Sequence, residues 1–242
     1  MRVVDLFCGC GGFSLGFEHA GFEVVWALDK WEVACESYRL NYPKTEVVCR
    51  DALEIGPSEI PDADVILGSP PCQEFSKANL KRPKKPDATL IEWFLKVVEV
   101  KTPKFWIMEN VPGIANVLSP GIHAKVYRMC DFGIPQIRKR LFAGKYQDPP
   151  KIPTSIRFPA ILATEYKTSI GHRQSGMHHV LRRKALIAEC LLIQTFPLDY
   201  LLCGNLQDRY MQIGNAVPPL MAYRLAEAIL HPTIKSLEMG AV

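Results

Sequence analysis

The chain has 242 residues, 48% of them hydrophobic and 22% charged, which suits one large domain, or one and a half, around a packed core. Its net charge of +4 is only mildly basic, so a nucleic-acid partner has to be argued from where the charge sits. No apolar run reaches the roughly 18 residues of a membrane span, and eight cysteines without the spacing of a disulfide framework fit a reducing cytosol.

In chain order, Arg2 to Phe7 reads as a strand with no cationic-apolar leader before it, which points to a cytoplasmic protein. A glycine turn and a helix from about Phe13 to His19 follow. Glu23 to Leu28 is the next strand and ends in Asp29. A helix from about Glu32 to Leu40 leads to a short strand at Val47-Val48, before Asp51. Val65 to Leu67 is a buried strand. Leu90 to Val100 is helical, with apolar positions at Leu90, Ile91, Phe94, Leu95 and Val98, and Phe105 to Met108 is another buried strand. This alternation predicts a doubly wound α/β fold with a mostly parallel sheet. Residues 144–181 hold scattered Pro, Gly and polar residues without periodicity and read as a small irregular second subdomain. A helix is expected over Leu181 to Thr195, and a last one over Leu220 to Leu230 after Pro218-Pro219.

Ligands of such sheets bind beyond the carboxyl ends of the strands, and Asp29, Asp51, Cys72 and Glu109 all fall just past such ends. Cys8-Gly9-Cys10-Gly11-Gly12 joins the first strand to the first helix, where glycines let backbone approach a ligand. It misses the strict dinucleotide fingerprint, having Ser14 at the third position. Asp29 is placed to accept ribose hydroxyls and Asp51 to accept from an adenine amino group; the alternative is a generic turn and two solvated acids. Cys8 and Cys10 lack a second Cys or His pair at ligand spacing, and His178-His179 are adjacent and would face different ways, so no metal is expected.

Pro70-Pro71-Cys72-Gln73 follows a buried strand and precedes a cationic stretch with Ser76, Lys77, Lys81, Arg82, Lys84 and Lys85. A cysteine there is positioned as a nucleophile meeting a polyanion, and the cationic stretch is suited to phosphate contact, with a solvated loop as the alternative. Glu109 would be partly buried, which raises a carboxyl pKa and suits an acid near neutral pH; a structural acid is the other reading. Arg138 and Arg140 alternate along an extended run and would share one face. Gly214 to Pro219 reads as a turn into the last helix.

Taken together, these stretches resemble the cytosine-5 DNA methyltransferase family. The resemblance rests on Asp5 to Gly16, Gly68 to Ser76, Glu109-Asn110-Val111, Gln136 to Arg140, Gln194 to Pro197 and Gln212 to Pro219, in that order. It implies a Rossmann-like methyltransferase sheet using S-adenosylmethionine, with catalytic domain 1–143 and 182–231. It implies Cys72 as the nucleophile at carbon 6 of a flipped cytosine and Glu109 as the contact to ring nitrogen 3. Arg140 becomes the contact to the ring carbonyl, with Arg138 beside it. Phe7, Gly9, Gly11, Gly12, Asp29, Asp51, Pro71, Leu90, Asn215 and Val217 would line the donor pocket. The implied partner is double-stranded DNA, bound by a monomer, with room for a cognate restriction endonuclease.

The family inserts a sizeable target-recognition region where this chain has only residues 144–181, and the segment between Glu109 and Gln136 also looks shortened. Arg157, Lys167, His172, Arg173 and Gln174 are the candidate DNA contacts there. The reduced region leaves a tRNA cytosine-5 methyltransferase open as a second reading. A catalytically idle adenosine- or nucleic-acid-binding module is a third.

Overall fold

A computed structural model describes residues 1–71, 87–167, 180–181 and 183–232. Among these, seven strands form one sheet: β1 (Arg2–Leu6), β2 (Glu23–Asp29), β3 (Glu46–Cys49), β4 (Val65–Gly68), β5 (Phe105–Asn110), β6 (Ala124–Arg128) and β7 (Lys139–Lys145). Their order is β3-β2-β1-β4-β5-β7-β6. Every pair from β3 to β5 is parallel, and β7 runs antiparallel to both β5 and β6. The chain winds outward from β1 in one direction to β3 and in the other through β4. The crevice between β1 and β4 is therefore the switch point at which such sheets take ligands.

Short apolar runs make the central strands because both faces are covered. One face packs α1 (Gly12–His19) and α6 (Pro219–Leu230) through Phe13, Phe17, Phe142, Met221 and Leu225. The other packs α3 (Thr89–Lys101) through Phe94, against Trp26, Ile66 and Met108. A third cluster joins α2 (Glu32–Asn41), α4 (Ile187–Gln194) and α5 (Leu206–Asn215) through Tyr38, Leu191 and Ile213. No helix among the described residues is long and apolar enough to cross a membrane.

The first five strands and the helices between them lie where the hydrophobic pattern places them, within one or two residues. The second half departs in three places. The helix expected over Leu181 to Thr195 is shorter, because Leu186 is extended and Glu189 caps the start of α4 by accepting from the Leu186 amide at 2.7 Å while pairing with Arg183. Gly214 and Asn215 are the last turn of α5 and not a connecting turn. Strand β6 carries little apolar sequence, with only Tyr127 buried. Residues 146–167 are largely irregular. They are tied to the rest of the fold by an isolated bridge of Phe158 with Gln136, by Asp148 bonding Lys125 and Tyr127 of β6, and by the fully buried Ile161.

The contact of α1 with α6 is close enough to require glycine. A Cβ on Gly16 would lie 2.3 Å from the Pro219 carbonyl oxygen and 2.4 Å from the Ala222 methyl. Backbone and a packed methyl cannot give way cheaply, so Gly16→Ala is expected to lose about 1–3 kcal/mol of unfolding free energy. A lower urea midpoint at unchanged slope would register the loss. An unchanged midpoint would mean that the two helices can part at little cost.

Candidate active site

The strand ends enclose a cavity of about 340 Å³ at the switch point, within the range of small-ligand sites. It is lined from β1 and its loop by Asp5, Phe7, Gly9 and Gly12, from β2 by Asp29, and from the turn after β3 by Asp51. Pro71, Leu90, Glu109, Arg138, Arg140, Asn215 and Val217 complete the wall among the expected site residues. Residues scattered over more than 200 positions thus meet at one place.

The glycine loop is held by Asp29. Its carboxylate accepts from the Gly9 amide at 2.8 Å with one oxygen and from the Trp31 amide at 2.9 Å with the other. Burial raises the Asp29 carboxyl above its ordinary value, against the pull of the two amides. Gly11 has φ of 96° and faces away from the cavity: its carbonyl accepts from the Tyr42 hydroxyl at 2.7 Å, and a Cβ there would meet the Tyr42 ring at 2.4 Å. Gly11 therefore shapes the loop and does not line the cavity. Asp51 caps a short 3₁₀ turn, accepting from the Leu53 amide at 3.1 Å, and pairs with Lys30 at 3.2 Å. These contacts hold its carboxyl below the usual range.

Several lining residues were not singled out from the sequence. Asp5, 1% exposed, accepts with Oδ2 from the Ser14 hydroxyl at 2.6 Å, and Ser14 accepts from the Tyr38 hydroxyl at 2.6 Å. Its Oδ1 is buried without a hydrogen-bond partner, and desolvation pushes the carboxyl up to about 7. Lys30 and Trp31 join the wall from the turn between β2 and α2, and Met211 and Gln212 from α5. Period and spacing carry no signal for them, except that Asp5 adjoins the glycine turn. Cys8 and Cys10 are buried; burial drives the Cys8 thiol well above its normal value and the Cys10 thiol to about 12, so both stay protonated.

Glu109 closes β5, 6% exposed, and Arg140 of β7 approaches it with Nε 2.9 Å from Oε1, a charge contact without the alignment of a hydrogen bond. Burial lifts the Glu109 carboxyl above the ordinary range, while the Arg140 and Arg138 charges oppose the lift. Arg138 and Arg140 do come to one wall, but with different attachments. Arg138 is buried and donates to the carbonyls of Ile161 at 2.9 Å and Gly214 at 3.0 Å. Arg140 keeps its head partly exposed. Asn110 donates from Nδ2 to the Pro70 carbonyl at 3.0 Å, fixing the end of the loop that precedes Cys72. Cys72 itself, Ser76, Lys77, Lys81, Arg82, Lys84, Lys85, His172, Arg173, Gln174, His178 and His179 lie outside the described residues. Arg157 and Lys167 are described and do not line the cavity.

A buried amide network braces this wall. Gln136 donates to the Ile193 carbonyl at 2.8 Å and the Gln194 side chain at 2.7 Å, and accepts from the Ile161 amide at 3.1 Å. Gln194 donates in turn to the Ala216 carbonyl at 2.7 Å. Arg138→Leu would leave the Ile161 and Gly214 carbonyls without that donor in a buried place. It is expected to lose about 3 kcal/mol of folding stability. Urea unfolding would show this as a lowered midpoint, and a variant as stable as the parent would contradict the brace.

The description C-5 cytosine-specific DNA methylase matches this chain over residues 1–119 and 145–231. The Type II methyltransferase M1.HphI of Haemophilus parahaemolyticus is 28% identical, over 95% of this chain and 87% of the relative. M.HindV of Haemophilus influenzae is 29% identical, over 96% and 97%. The M1.HphI alignment runs to 327 positions against 242 residues here, so that relative carries residues within the matched span that this chain lacks. Among solved structures, the Entamoeba histolytica methyltransferase EhMeth aligns with a TM-score of 0.73 at 17% identity, over 95% of this chain and 98% of its own. A Spodoptera frugiperda DNMT2 variant aligns at 0.69 and 18%, over 95% and 99%. These two likenesses speak for the fold, and the matched residues speak for the family: the chain belongs to the C-5 cytosine-specific DNA methylases, with S-adenosylmethionine as methyl donor.

Proposed function

We propose that this chain methylates carbon 5 of a cytosine turned out of DNA, with Cys72 as nucleophile, Glu109 as acid and Arg140 as carbonyl clamp. The observation that carries the reading is the meeting of Glu109 and Arg140 on the wall of the same cavity that Asp29 and Asp51 enter from the opposite side.

The donor set fits an adenosine compound. Two carboxylates at neighbouring strand ends suit ribose hydroxyls and an exocyclic amine. Phe7, braced edge-on by Trp93 at 5.6 Å, offers an aromatic wall, and Leu90 and Val217 add apolar surface. Asp29, Asp51, Phe7, Leu90, Asn215 and Val217 would hold S-adenosylmethionine, which supplies an electrophilic methyl group when bound. Gly9, Gly12 and Pro71 would bring backbone close to it.

Carbon 5 of cytosine is a poor nucleophile. Addition of the Cys72 thiolate to carbon 6 forms the S–C6 bond and makes carbon 5 electron-rich. The charge pushed into the ring reaches nitrogen 3 and the carbonyl oxygen. A protonated Glu109 donates to the first, and the Arg140 guanidinium stabilises the second. Burial keeps the carboxyl protonated further up the pH scale than a free glutamate. With the methyl group that a bound donor would supply on carbon 5, the carbon-5 proton would pass to a water molecule, the C5–H electron pair would reform the C5=C6 bond, and the C6–S bond would break to release the Cys72 thiolate. Inside a duplex carbon 6 is out of reach, so the base must be extruded, at a cost of a few kcal/mol. Lysines and arginine 77–85 are suited to offsetting that cost through phosphates.

Arg138 acts from behind this wall: its bonds to Ile161 and Gly214 set the strand from which Arg140 projects. Residues 144–181 serve as a reduced target-recognition region, in keeping with the irregular backbone over 146–164. A monomer acting in the cytoplasm, with or without a cognate endonuclease, fits one active site per extruded base.

Incubation with labelled donor and either duplex DNA or tRNA tests the substrate, and bisulfite sequencing of DNA from cells expressing the chain locates the site. Label is expected in DNA; label confined to tRNA would move the chain to the RNA reading. Cys72→Ala is expected to abolish transfer, and full methylation by that variant would remove Cys72 as nucleophile. Glu109→Gln is expected to slow transfer by about 10²–10⁴-fold. Wild-type rates should fall as pH rises through the Glu109 pKa, because the protonated form is the active one. The Gln variant should lack that alkaline limb, and an identical limb in both proteins would take the acid role from Glu109.

A further inference from the structure

We propose that Arg128 and Lys139 form a phosphate clasp at the outer edge of the sheet, holding the backbone of the DNA strand whose cytosine is turned out. The inference rests on the DNA reading above and adds to it a binding site away from the cavity itself.

The clasp follows from strand register. Lys139 is the first residue of β7 and Arg128 the last of β6, and the two are direct partners in the antiparallel ladder. Direct partners share one face of a sheet, so two like charges stand side by side, an arrangement that weakens strand pairing. Both side chains are exposed. Neither belongs to an ion pair among the described residues: the pairs that these two strands make join Lys125 to Asp148 and Arg140 to Glu109. Lys30 and Arg50, at the same end of the sheet, are matched by Asp51 and Glu59. Two opposed cations that the fold leaves without an acid keep their charge for an anion from outside.

Position identifies that anion. The adjoining ladder pair is Tyr127 with Arg140, so the clasp lies next to the guanidinium on the cavity wall. Neighbouring Cα atoms in a strand are about 3.8 Å apart and facing ones about 5 Å, which puts both backbone positions within roughly 6 Å of Arg140. The two side chains leave the sheet on the face opposite Arg140. Val126 shares their face and is 47% exposed, so the approach from solvent is open. A nucleotide whose base enters the cavity brings its own phosphates to the rim at this range. Arginine offers a planar fork to two phosphate oxygens, and lysine a point charge to the same group. With a net charge of only +4, the chain depends for phosphate binding on where its unmatched cations lie.

Salt dependence tests the clasp. Each phosphate contact adds about 0.9 to the slope with which log affinity falls against log salt. Anisotropy of a fluorescent mixed-sequence duplex, titrated between about 50 and 200 mM salt, reads that slope. Arg128→Gln with Lys139→Gln is expected to reduce it by about 1.8, so that about twelvefold less affinity is lost over the range. The charge-keeping exchange, Arg128→Lys with Lys139→Arg, should retain the parent slope. So should Lys104→Gln with Lys145→Gln, which removes the same charge at the other end of the sheet. An unchanged slope in the neutral double variant would overturn the clasp, and so would an equal fall in the Lys104 and Lys145 variant. Should the neutral double variant unfold at lower urea, the single substitutions decide, each expected to lower the slope by about 0.9. A parent chain that binds S-adenosylhomocysteine but no duplex DNA at any salt would instead remove the DNA reading, and this site with it.

Discussion

The carboxylate of Asp29 is the joint on which the site turns. It ends β2, yet both its oxygens are bonded to backbone amides of two other segments, Gly9 in the first loop and Trp31 at the head of α2. Its own carbonyl accepts from the Arg50 amide at 3.0 Å, which sets the turn carrying Asp51. One residue thus fixes the spacing between three loops at the strand ends. A mobile set of loops would have to be ordered each time a ligand entered; a bonded set has met that entropic cost during folding.

The other half of the site depends on the one strand that runs the wrong way. Because β7 is antiparallel to β5, Glu109 lies opposite Phe142, and Arg140, two residues away on the same face, can reach it. A parallel strand there would present its opposite end to the crevice. Holding β7 in place falls to polar groups that are fully buried, Gln136, Gln194 and Arg138, each bonded to backbone of a different segment. Such networks are stable only when complete, which explains why polar side chains occupy positions that pattern alone would give to Leu or Ile.

That point also marks how far the sequence could be read. Strands β1 to β5 and helices α1 to α3 are legible because each buries a continuous or 3.6-periodic apolar set, and because the chemistry-bearing acids sit at the ends of those runs. β6 was not legible: an edge strand in which only Tyr127 is buried, with Lys125 on the same face and Val126 exposed on the other, carries no period worth finding. The start of α4 was misplaced because apolar periodicity continues through Leu181 and Leu186, while the Glu189 carboxylate, bonded to the Leu186 amide and Arg183, begins the helix later. Helix α5 was not anticipated at all. Gly214 reads as a turn residue, but it is there because a Cβ would meet the Ala163 amide nitrogen at 2.2 Å. Within the site, carboxylates at strand ends were legible by position. Gly11 was not, since only coordinates show that its φ turns the loop toward Tyr42.

Tyr200 ties a late segment of the chain to the glycine loop. Its hydroxyl bonds to the Cys10 carbonyl and to the Tyr42 hydroxyl, which in turn holds Gly11. A nascent chain emerging from the ribosome can therefore form the central strands well before it can finish the glycine loop. The cavity is completed only once residues 200–217 have been made, since Tyr200 fixes the glycine loop and Met211, Asn215 and Val217 line the wall.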